Sequence, residues 1–210
     1  MVSVAKIRQY KYTVGLMKPR QDAVLPPEVT FLTQDEVRQL LAVITGKRDR
    51  ALFHLAYHHG LRASEVSLFQ RDDVHEKQGR IYIPRVKGSS AKTYPMQPED
   101  LRCLRAYLRT RDDDSPYLFI SHRGIPLERR SYWDLMQKYG RVADIPKAKR
   151  RFHVLRHAIA VHLLDAGADV AFVQDRLGHA NIQNTMVYMR YPTVTRDAQT
   201  RQLFASHRIV

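Results

Sequence analysis

The 210 residues carry 35 Lys and Arg against 21 Asp and Glu, a formal net charge of +14, with 44% hydrophobic residues and one cysteine. That apolar share supports a packed core and excludes a disordered chain. A lone Cys103 excludes an internal disulfide framework and a cysteine-rich zinc site, and fits a reducing cytoplasm. No segment reads as a signal peptide or membrane span. The charge excess points to a polyanionic partner, DNA or RNA first, the alternative being a solubilising surface.

Residues 1–29 read as a basic, extended arm: Lys6, Arg8, Lys11, Lys18 and Arg20 outweigh Asp22 before Pro26-Pro27 interrupts the chain. Thr33-Gln-Asp-Glu36 is a capping box, with Leu32 and Val37 as its hydrophobic staple. The helix it opens carries Val37, Leu40, Leu41 and Ile44 and is expected to end at Gly46. A second, buried helix spans 48–58 and stops at Gly60, and a short helix begins near Ala63 or Ser64 with Arg62 at the junction. Residues 79–96 alternate as a β-hairpin, Ile81, Ile83 and Arg85 facing one way and Lys87 and Lys92 near the tip. An amphipathic helix covers 98–110, with Arg102, Arg105 and Arg109 as a solvated face. Tyr117–Ser121 reads as a short buried strand and 128–142 as another helix. Lys147, Lys149, Arg150 and Arg151 form a basic cluster suited to phosphate contact.

The stretch 153–191 follows. His153 and Arg156 share a helical face, apolar runs break at Gly167 and Gly178, and Tyr188 stands nine residues beyond His179. His157 is read as packing or bonding locally, and Glu65 as a hydrogen-bonding support for the Arg62 loop. The overall order predicts an α-rich α+β domain, mostly helical with a small antiparallel β-hairpin.

Arg62, Lys87, His153, Arg156, His179 and Tyr188 form a set without a carboxylate, which does not suit Mg²⁺ or Ca²⁺. Zinc at His153 and His157 is set aside because His157 runs into an apolar face, so no metal or cofactor is expected. The set does suit attack on a phosphodiester: arginines hold phosphate oxygens bidentately and stabilise growing charge. Nearby cations are expected to lower the phenol pKa, while a His takes its proton and a Lys protonates the leaving oxygen.

Gly60-Leu-Arg62-Ala-Ser-Glu65, His153-Val-Leu-Arg156-His157 and Leu177-Gly-His179, followed by Tyr188, resemble in order and spacing the motifs of the tyrosine recombinase (phage integrase) family over about residues 30–191. The resemblance implies that Arg62 and Arg156 clamp phosphate, His153 is the base, His179 donates to a phosphate oxygen and Tyr188 is the nucleophile. It implies Lys87 as general acid, with Lys92 its competitor, and makes Tyr191 a weaker rival to Tyr188. The expected activity is site-specific strand breakage and rejoining through a 3′-phosphotyrosyl link. The expected setting is a homotetramer on double-stranded DNA in the cytoplasm, at the nucleoid, with possible accessory DNA-bending or directionality proteins. Residues 30–191 would form the catalytic domain and 192–210 a tail exchanged between subunits. In size the chain looks similar to compact recombinases of fimbrial switches. A type IB topoisomerase-like relaxase, a catalytically silent DNA-binding regulator and an RNA-binding protein are the alternatives.

Overall fold

The structure is a computed structural model that describes residues 29–86, 91–191, 201 and 204–205. The basic arm up to residue 28, Lys87 at the hairpin tip and nearly all of the 192–210 tail lie outside the described residues. Within them the chain is mostly helical with a small antiparallel sheet, as the pattern predicts.

Thr33 caps α1 (Gln34–Ala42) by accepting the Glu36 N–H, while Glu36 accepts the Thr33 N–H. The helix ends at Ala42 rather than at Gly46, because Gly46 is extended and opens the next helix as its N-cap. Helix α2 (Lys47–His58) is buried along most of its length, and α3 (Ala63–Val66) follows directly after Arg62.

The hairpin forms as expected from β2 (Arg80–Ile83) and β3 (Lys92–Pro95), Ile81 opposite Tyr94. A third strand absent from the sequence reading, β1 (Val74–His75), pairs antiparallel on the other side of β2. It is too short to show a period. Residues 117–121 are not a strand. Tyr117 and Ile120 make only isolated bridges, and the Arg111 guanidinium takes the Tyr117 and Leu118 carbonyls. Leu118 and Phe119 are nevertheless buried, so the apolar run is explained by core packing rather than by a sheet.

Helices α4 (Pro98–Leu108) and α5 (Arg129–Val142) flank the main core with α2. Helix α6 (Val154–Asp165) is buried on nearly every side, since it separates that core from a smaller cluster made with α7 (Val170–Leu177). The chain then runs through α8 (Gln183–Met186) into a 3₁₀ turn, Val187–Arg190. Among the described residues no helix is long and apolar enough to cross a membrane.

Candidate active site

Three loops meet at the N-terminal end of α6. Gly60 turns the chain after α2 with φ +57°, where an L side chain is strained, and a Cβ there would collide with Leu177 Cδ2 and lie 3.3 Å from Ile159 Cγ2. Glycine is therefore needed both for the turn and for the close approach to α6 and α7. Its carbonyl accepts from Arg156 Nη1 at 2.5 Å, and Arg156 Nη2 donates to the Leu177 carbonyl at 2.8 Å. One buried guanidinium thus ties together the segments that carry Arg62, His153 and His179. Burial, then the charges of Arg62 and Arg85, brings the Arg156 pKa down to about 10, so it stays cationic at neutral pH.

Glu65 explains how several arginines coexist here. Its buried carboxylate accepts from the Arg62 N–H at 2.9 Å, from Arg62 Nη1 at 2.6 Å and from Arg85 Nη1 at 2.9 Å, with Arg156 Nη1 4.0 Å away. The supporting role read from sequence holds, but its extent was not visible there. Arg85, which the sequence reading placed on the face of Ile81 and Ile83 without a role, belongs to this cluster. Its side chain is wholly enclosed, donates to the Arg176 carbonyl at 2.6 Å, and lies against Gly178, where a Cβ would come within 2.9 Å of its Nε. The available signal was strand alternation: Arg85 shares the inward face of Ile81 and Ile83, and a buried cation demands a partner.

His179 follows Gly178, and its Nδ1 stands 2.8 Å from the hydroxyl of buried Thr185. Desolvation, with the charges of Arg156, Arg62 and Arg85, pushes its pKa down to about 3, so the ring is neutral.

Tyr188 lies on the 3₁₀ turn, only 3% exposed, packed in the smaller apolar cluster with Ile159, Val173 and Leu177. Its hydroxyl is 2.7 Å from His157 Nδ1. His157, which the sequence places on an apolar face, is therefore the side chain that meets the tyrosine, across 31 positions of chain. Burial, then His153 and Arg156, lowers the His157 pKa to about 4. His153 stands edge-on to it at 5.1 Å between ring centroids and is exposed, its pKa lowered by desolvation and by Arg151. The expected lowering of the phenol pKa is overturned in this arrangement: burial raises the Tyr188 pKa and outweighs the opposing charges of Arg156 and Arg62. Tyr191 is engaged elsewhere, its hydroxyl accepting from the Val29 N–H at 2.6 Å and its ring edge-on to Phe31.

Lys92 opens β3 and is ion-paired with Asp175, whose hydrogen bond and then charge hold the ammonium pKa above its usual value. The basic cluster divides. Lys149 is paired with Glu36 at 2.7 Å, and Arg150 Nε donates to the Ile145 carbonyl at 2.5 Å. Lys147 and Arg151 are exposed. Arg62, Arg151 and His153 open onto one cleft of about 510 Å³ together with Arg129 and Trp133 of α5. These last two were not singled out from sequence, since nothing local marks them.

A cation-lined cleft beside a buried, His-bonded tyrosine is the context for the similarities to known proteins. The Phage integrase family model matches residues 30–193. Tyrosine recombinase XerA of Thermococcus onnurineus is 38% identical over 180 residues, 83% of this chain and 62% of that protein. The chain therefore spans about three fifths of that relative's length. The crystal structure of a XerA recombinase superposes with a TM-score of 0.71 at 29% identity, covering 88% of this chain and 68% of that one. The Tn1549 transposon integrase, solved in complex with transposon right end DNA, shares the fold, with a TM-score of 0.68 at 20% identity over 86% of this chain and 67% of that one. With the family model covering most of its length, the chain belongs to the phage integrase family, that of the tyrosine recombinases.

Proposed function

We propose that the chain is a site-specific DNA recombinase whose nucleophile is Tyr188. The observation that carries the reading is the Tyr188 hydroxyl, 2.7 Å from a neutral His157 and within the field of Arg62 and Arg156. In the proposed step the phenol oxygen attacks the scissile phosphorus, its proton passes to an imidazole, and the P–O5′ bond breaks. The product is a 3′-phosphotyrosine and a free 5′-hydroxyl, and attack by a partner strand's 5′-hydroxyl reverses the step. The 2.7 Å separation favours His157 as first acceptor of the phenol proton, with His153 beside it facing the cleft. Arg62 and Arg156 take the non-bridging oxygens. Arg156 spends donors on two carbonyls and keeps others of its five. A neutral His179, with Nδ1 engaged by Thr185, has Nε2 to offer a phosphate oxygen. The leaving oxygen needs a proton. The Asp175 partnership makes Lys92 a reluctant donor, which favours Lys87.

The substrate in this reading is double-stranded DNA, approached through the cleft of Arg62, Arg129 and Arg151, and the assembly is a homotetramer exchanging its 192–210 segments. The DNA complex of the like-folded Tn1549 integrase supports the first part. The test is a nicked suicide duplex carrying the cognate site, found by mapping bound DNA in the source genome. The chain forms an adduct that survives SDS, and Tyr188→Phe binds the duplex but forms none. An undiminished adduct in Tyr188→Phe would refute the assignment. Supercoil relaxation without recombinant products would point to a relaxase, and binding without any adduct to a regulator.

A further inference from the structure

The helices α2 and α4 carry a second cluster of reactive side chains, away from Tyr188. His54 and His58 stand one turn apart on α2, and Glu99, Asp100 and Cys103 face them from α4. One ligand atom each from His54, Glu99 and Cys103 lies within 4.8 Å of the others, and the same holds for His54, His58 and Asp100. His54 belongs to both groups. It is only 6% exposed, and neither of its ring nitrogens has a hydrogen-bond partner. A buried imidazole left this way is costly, and of the buried imidazoles without a hydrogen-bond partner on either nitrogen among the described residues, His54 and His59, only His54 belongs to these groups. The sequence reading weighed zinc only at His153 and His157.

We propose that this cluster binds one Zn²⁺-class divalent cation, held by His54, Glu99 and Cys103, the fourth position being left to water. Imidazole, thiolate and carboxylate together suit zinc better than Mg²⁺ or Ca²⁺, and three such groups with one water match its tetrahedral preference. Asp100 lies next to the ligand Glu99 on α4. Fully buried, it stands 2.6 Å from His58 Nδ1 and so holds the second imidazole of α2 beside His54. One thiolate and one carboxylate neutralise the ion, which matters beside Arg50, 3.7 Å from Glu99. Binding displaces the Arg102–Glu99 pair, and the Arg102 side chain, 66% exposed, can turn to solvent.

The site braces α2 against α4, and α2 leads on to Arg62. The His58 carbonyl accepts from Arg176, and two residues on, the Gly60 carbonyl accepts from Arg156. A metal at His54 therefore stiffens the helix that leads to Arg62.

The test uses the full chain, stripped with a chelator and titrated with Zn²⁺ against a chromophoric competitor, and separately with Co²⁺. One equivalent binds, unfolding shifts to higher temperature, and Co²⁺ gives a thiolate-to-metal charge-transfer band. Cys103 is the only cysteine, so that band reports this site alone. Cys103→Ser abolishes the band. His54→Gln and Cys103→Ser each weaken zinc binding by more than about 100-fold, the upper end of what is lost when only an orienting partner is removed. His153→Gln/His157→Gln takes up a full equivalent, which separates the site from the histidines around the tyrosine. Absence of the charge-transfer band in the wild-type chain, or zinc uptake unchanged in Cys103→Ser, would overturn the proposal without touching the assignment of Tyr188.

Discussion

Replacing Glu65 by Gln removes one charge and almost no volume. The carboxylate accepts two bonds from Arg62 and one from Arg85, and the Arg85 and Glu65 side chains are both 0% exposed. A glutamine keeps one acceptor oxygen but turns an NH₂ donor toward a guanidinium that is itself a donor. Each hydrogen bond to a charged partner contributes about 1.5–3 kcal/mol. Removing one member of a buried ion pair costs about 3–5 kcal/mol, because the other charge is left uncompensated. Glu65→Gln is therefore expected to destabilise the fold by about 3–5 kcal/mol, read as a lower urea midpoint with an unchanged slope. The double variant Glu65→Gln/Arg85→Met should lose less than the sum of the single changes, by more than about 1 kcal/mol of coupling, since it removes the stranded cation too. Adduct formation on suicide DNA should fall along with stability, as Arg62 loses its anchor. A single-variant loss under about 1 kcal/mol, or strict additivity in the double variant, would show that Glu65 does not hold these arginines as described.

Gly60→Ala combines a left-handed φ, about 1–2 kcal/mol for an L side chain, with overpacking against Leu177, about 1–3 kcal/mol. A loss of about 2–5 kcal/mol is expected in chemical denaturation, and a neutral effect would refute the close approach. His157 and His179 have folded pKa values near 4 and 3 against 6.5 unfolded, so below pH 6.5 the unfolded chain binds more protons. Their contribution to stability is complete above pH 6.5 and lost as pH falls toward 4, so thermal midpoints measured from pH 7.5 to 4.5 should drop steadily, and a flat profile would contradict the burial of these rings. In single-turnover cleavage, Lys87→Ala should slow the reaction by about 10²–10⁴-fold, the usual reach of a general acid, while Lys92→Ala costs under about tenfold; the reverse order would move the acid to Lys92. Affinity for duplex DNA should fall steeply with salt, and Arg151→Glu should flatten that dependence more than Arg150→Glu, whose guanidinium is spent on the Ile145 carbonyl.

Much of the architecture was legible in the sequence because its causes are local. The Thr33–Glu36 box, the helical periods of α2, α4 and α5, the alternation of Ile81 and Ile83, and the stops at Gly60 and Gly178 each depend on a few neighbouring residues. The spacing of Arg62, His153, Arg156, His179 and Tyr188 was legible for the same reason, since each is marked by its own short motif. Tertiary structure alone decided which charge meets which. It buried Arg85 on Glu65, turned Lys149 inward to Glu36, set His157 against Tyr188, gave β2 its second partner, and raised the phenol pKa where flanking cations were expected to lower it. Desolvation and ion pairing depend on atoms brought together from distant parts of the chain, and no local pattern records them.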